Sequence, residues 1–93
     1  PNLRTQVAEV NALGRPCSFL GFDDAKIIFY LDKPCQVFYD EARALDWATR
    51  AGGVLMTPID VLDRSWEVVV KGKNWQAVIP RKDPLLNDSI HSR

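Results

Sequence analysis

Residues 66–79 constrain this chain more than any other stretch: Trp-Glu-Val-Val-Val-Lys, then Gly-Lys, then Asn-Trp-Gln-Ala-Val-Ile. β-Branched and aromatic residues crowd both sides of Gly72-Lys73, as in two antiparallel strands joined by a tight turn. With Gly72 first in a two-residue type II′ turn, Val70 is expected opposite Trp75, Val68 opposite Ala77 and Trp66 opposite Ile79. All six then share one face, which must be covered. The other face carries Glu67, Val69, Lys71, Asn74, Gln76 and Val78 and suits partial solvation.

A second hairpin is expected upstream, with residues 17–22 and 25–31 as strands and Asp23-Asp24 as the turn. Leu20, Phe22, Ile27, Phe29 and Leu31 would then line one face, and Phe19, Ile28 and Tyr30 the other. Further strands are read at 35–39 and 54–56, with a loop or single turn at 58–63. Two helices complete the reading. Over residues 3–13, Leu3, Val7, Val10 and Leu13 fall on one face, Asn2 caps the start, and Gly14 and Pro16 end the run. Asp40 caps a helix over 41–51 that stops at Gly52-Gly53 and places Asp46 and Arg50 at i,i+4. The expected fold is therefore α+β: an antiparallel sheet of five or six strands built from two β-hairpins, with two helices packed on it. Residues 1–84 are read as a single domain and 85–93 as a flexible C-terminal tail.

Size and composition agree with one self-sufficient core. The chain has 93 residues, 46% of them hydrophobic, and a chain of this mass buries about 64% of its unfolded surface. No apolar run approaches the ~18 residues of a membrane span and no leader opens the sequence, so a cytoplasmic protein is expected. Cys17 and Cys35 match neither a zinc spacing nor a redox CxxC motif and read as buried or half-buried thiols. Enzymes of the tautomerase superfamily use an N-terminal proline amine as a general base and continue from it directly into a β-strand. Here Pro1 precedes a helix start and is read as a processed or boundary residue.

Most enzyme chemistry lacks its side chains. His91 is the only histidine and lies in the tail, which argues against Ser-His or Cys-His nucleophiles and most transition-metal sites. Asp23 and Asp24 are assigned to backbone work in a turn. Asp60 and Asp63, three apart, meet on a helical turn in a way compatible with Mg²⁺, but no third oxygen ligand accompanies them. Gly52-Gly53 follow a helix C-terminus, the wrong end for a phosphate loop. A non-enzyme is expected, with no catalytic residue, no cofactor and no metal.

The charge offers a second lead. It sums to zero overall, but residues 1–63 hold nine acids against six bases and residues 64–93 three acids against six bases. The basic end supports a nucleic-acid-binding alternative through Arg64, Lys71, Lys73, Arg81 and Lys82. The favoured reading is a small protein-interaction or accessory module. Two apolar sheet faces with only two helices to cover them call for a homodimer or protein partner at Phe19, Ile28, Tyr30, Val69 and Val78. A small-molecule pocket under the 41–51 helix, lined by Trp47, Tyr39 and Met56, is a further alternative.

Overall fold

In the computed structural model, which describes residues 2–59 and 63–83, α1 (Leu3–Ala12) starts where Asn2 Oδ1 accepts the Thr5 amide at 2.9 Å. Val7 and Val10 are its buried residues. The chain then turns through Gly14, in the left-handed region at φ 66°, into β1 (Cys17–Leu20), α2 (Ala25–Tyr30) and β2 (Gln36–Phe38). After α3 (Glu41–Ala51) come β3 (Val54–Pro58), β4 (Trp66–Lys71) and β5 (Trp75–Pro80). Asp40 Oδ1 caps α3 by accepting from Ala42, and Gly52 ends it at φ 66°, both as the sequence pattern requires.

The fold is α+β with one five-stranded sheet, order β2-β1-β3-β5-β4. The sheet is mixed, not antiparallel as expected: β1 pairs parallel with β2 and with β3, while β5 pairs antiparallel with β3 and β4. The correction comes from residues 25–31, read as a strand, of which 25–30 form a helix. The one hairpin among the described residues is thus β4–β5. α2 carries the chain from β1 to β2 in the same direction, a connection that parallel pairing requires.

The third helix also changes how the sheet is covered. On one face α1 and α2 bring Val7, Val10 and Ile27 onto Phe19, Met56, Ala77 and Ile79. On the other, Ala44 and Ala48 of α3 sit on Leu20, Leu55, Trp66 and Val78. Every residue of β1 and β5 is buried. Among the described residues, α1 and α2 thus cover one face of the sheet and α3 the other.

The β4–β5 hairpin exists, but in another register. Val68 faces Val78, Val70 faces Ala77 and Trp66 faces Pro80, with a bulge between Val68 and Val70. The extra residue breaks the alternation. Val69 and Val70 both pack under α1 and α2, while Trp66 and Val68 turn to the α3 side. The six residues expected on one face are therefore divided between two. Nor is the turn type II′, because Gly72 lacks the positive φ that such a turn needs. A Cβ at Gly72 would collide with the Trp75 indole, so glycine serves here for close approach.

Candidate functional site

α2 consists largely of strand-prone residues, and hydrogen bonds at both ends hold it helical. Asp24 Oδ1 accepts the Lys26 and Ile27 amides at 2.8 and 3.2 Å. At the far end Asn11 of α1 donates from Nδ2 to the Tyr30 carbonyl at 3.0 Å and accepts the Asp32 amide on Oδ1 at 3.1 Å. The carboxylate of Asp24 thus does backbone work, as a helix cap rather than a hairpin turn. Ile27 faces inward at 1% exposure, and the next three residues face water: Ile28 at 48%, Phe29 at 80% and Tyr30 at 38%. The two aromatic rings meet edge to face at 5.2 Å.

Phe29 and Tyr30 border a groove of about 660 Å³ between α2 and the start of α1, flanked by Arg4 and Lys26. A smaller hollow of about 300 Å³ adjoins it through Asn2, Leu3 and Lys26 and reaches Lys73 at the hairpin tip. Among the described residues, Arg4, Lys26 and Lys73 take part in no ion pair. The carboxylate bordering this surface, Asp24, is already engaged by two amides. The result is an exposed aromatic ridge with a positively charged rim.

The structure does not bring the five expected interface residues together. Phe19 is buried beneath α1 and α2, and Val78 is buried beneath α3. Val69 is half-buried at the bulge, and only Ile28 and Tyr30 are exposed. The expected basic set also splits. Lys71 and Lys73 lie at the hairpin tip, whereas Arg64, Arg81 and Lys82 lie at the opposite end of the strands. Arg81 is occupied by Glu67 at 2.7 Å and by the carbonyls of Arg64 and Trp66 at 2.8 and 3.1 Å.

Trp47, Tyr39 and Met56 do not line one pocket. Met56 packs on the α1 and α2 side, Tyr39 is exposed, and Trp47 packs on Phe38 with ring centroids 5.5 Å apart. Beside α3 the structure instead has a cavity of about 430 Å³ between Leu45, Thr49, Arg64, Pro80 and Lys82.

Asp60 and His91 lie outside the described residues. Asp63 meets Glu41, a pairing that the sequence spacing did not suggest. The hydrogen bond with Asp63 raises the Glu41 carboxyl above its usual pKa, while the Ser65 amide, at 2.7 Å, lowers that of Asp63. Glu41 Oε2 also accepts from Trp66 Nε1 at 3.1 Å. This arrangement joins the start of α3 to the entry of β4, and neither carboxyl lines the neighbouring cavity. Among the described residues, no three His, Cys, Asp or Glu side chains converge in a way that could hold a metal ion. No described helix is long and apolar enough to cross a membrane. Compared with protein-family models, with curated proteins and with solved structures, the chain matches none.

Proposed function

We propose that this chain is a non-enzymatic protein-interaction module whose docking surface is the outer flank of α2, and that the partner presents an apolar segment bearing carboxylates. One observation carries the reading: Ile28, Phe29 and Tyr30 stay exposed in sequence on a helix capped by its own Asp24 and tied at its far end to Asn11 of α1. A fixed aromatic ridge loses little conformational entropy on binding, which is the property of interface anchors.

The rim selects the occupant. Arg4, Lys26 and Lys73 favour an acidic surface and oppose a second copy of this chain meeting it flank to flank, since like charges would face each other. The five-residue basic set offered for nucleic acid has less support, because it divides between two ends of the hairpin.

A fluorescent Glu/Leu/Phe peptide, with a Lys/Leu/Phe peptide of equal length as control, tests the proposal. The acidic peptide is expected to bind with amide shifts confined to α2 and the start of α1. Phe29→Ser and Lys26→Glu should each weaken it, the former about tenfold or more. Binding of neither peptide, or shifts elsewhere, overturns the reading. A dimer in light scattering that Phe29→Ser abolishes would give the flank to a second copy instead. Oligonucleotide binding with a steep salt dependence would restore the nucleic-acid alternative.

A further inference from the structure

Cys17 and Cys35 are eighteen positions apart in sequence but adjacent in the sheet. The parallel register pairs Ser18 with Gln36, so the two cysteines stand side by side one step earlier. Side chains at matched positions of parallel strands point to the same face, and both thiols pack into the core under α1 and α2. Neighbouring strands lie about 4.8 Å apart, within the roughly 4.4–6.8 Å between Cα atoms that a disulfide spans. Both cysteines are free thiols, Cys17 buried and Cys35 half-buried. Each thiol now donates back along its own strand, Cys17 to the Arg15 carbonyl at 3.4 Å and Cys35 to that of Lys33 at 4.0 Å. A side-chain rotation at each would turn them together.

The surroundings admit a small reagent. Cys35 is only half-buried and offers such a reagent its entry. β2, the strand that Cys35 leads into, is an edge strand of three residues with no buried position. It is the part of the sheet with most to gain from a covalent tie.

We propose that Cys17 and Cys35 form an oxidisable dithiol that closes to an intramolecular disulfide by exchange with a small-molecule disulfide, fastening β2 to β1. The more accessible Cys35 loses its proton and attacks one sulfur of the reagent, forming a mixed disulfide and releasing one thiolate. Cys17 then loses its proton and attacks the Cys35 sulfur, expelling the second thiolate. The two protons pass to the departing thiolates, so the protein loses two hydrogens and the reagent is reduced to two thiols. Burial raises both thiols above their usual pKa, Cys17 to about 11. That slows the exchange and makes its equilibrium the quantity to measure. The inference does not rest on the docking role of α2.

The full chain would be equilibrated in buffers of graded reduced-to-oxidised glutathione ratio, quenched by alkylation and read by intact mass and peptide mapping. Both thiols are expected to disappear together, in monomer, with Cys17 joined to Cys35. The oxidised form should melt about 10 °C or more above the reduced one. Cys35→Ser should abolish both the bond and the rise in Tm. Retention of two free thiols in the most oxidising buffer, stable glutathione adducts, or bonds only between chains would each overturn the proposal. The wild-type measurement decides the matter even where a variant fails to fold.

Discussion

The unit β1-α2-β2 and the hairpin β4–β5 are built from similar residues, yet they reach their places in the sheet by different routes. In the hairpin, pairing is local: a short turn sets two strands against each other, and the fine register is settled by one extra residue at Val69. In β1-α2-β2 the strands run parallel, so the residues between them must cross a face of the sheet. A run rich in Ile, Phe and Tyr becomes a helix there because Asp24 and Asn11 satisfy its ends and Ile27 completes the core. Strand propensity holds where pairing is local and gives way where connection geometry demands a crossover.

The sharpest way to break this contrast is to remove the central large side chain of each half. Phe19→Ala and Trp66→Ala should each cost about 3–5 kcal/mol in urea unfolding. Trp66→Ala would also remove the indole donor from Glu41. Phe29→Ala, on the exposed side of α2, should stay within about 0.5 kcal/mol of wild type.

Next in size is the contact that joins the two halves. Arg15, just before β1, holds Asp83, just after β5, through two bonds of 2.7 and 2.9 Å, with Asp83 buried. Asp83→Asn should cost about 2–3 kcal/mol, because it leaves a partly buried guanidinium short of its counter-charge.

Deleting Val69 tests the hairpin alone. Val68 already faces Val78 and Val70 already faces Ala77, so removing the bulged residue closes a regular ladder without turning any neighbour to the other face. The expected loss is about 1 kcal/mol, from half a valine's burial, with Trp66 fluorescence unchanged. Asn11→Ala tests the helical half at similar or smaller cost, about 1 kcal/mol. Its mark is local: hydrogen exchange should quicken at the C-terminal end of α2 and at the Asp32 amide, and not in β4 or β5.

The last effect appears only in alkaline solution. Burial raises the Cys17 thiol from 9.0 to about 11. Between these values the unfolded chain has released this proton and the folded chain retains it. Stability should therefore fall as pH rises from about 9 towards 11. Cys17→Ala should flatten that slope in denaturant titrations at successive pH values.

What the sequence made legible was everything governed by near neighbours. Asn2, Asp40, Gly14 and Gly52 marked helix ends because a cap is a contact over a few residues. The hairpin's strands were legible for the same reason. Its register was not, since no pattern in Val68-Val69-Val70 says which valine the bulge takes. The misreading of residues 25–31 had a visible warning: residues 17–20 offered apolar side chains to both faces, the mark of a central parallel strand rather than half of a hairpin. Asp24 before Ala25-Lys26 was equally a helix start. The site followed the fold. Ile28 and Tyr30 were expected at a surface, but beside Phe19 and Val78, which a correctly placed α2 and α3 bury on opposite faces. The meeting of Cys17 with Cys35 and of Glu41 with Asp63 depends on strand order, which spacing alone does not encode.

Strand order also has a consequence in time. β4 and β5 close over a short loop, and β3 joins them by the connection next along the chain. β1 has β2 as such a neighbour, across α2, but its contacts with β3 close the longest stretches of chain, Cys17 meeting Val54 37 positions along. The entropic cost of those longer closures falls before any contact offsets it. β1, buried along its whole length, therefore docks on β3 late in folding, when β3 is already held by the hairpin. Substitutions in β1 should then accelerate unfolding more than they slow folding, and those at the β3–β5 seam should do the reverse.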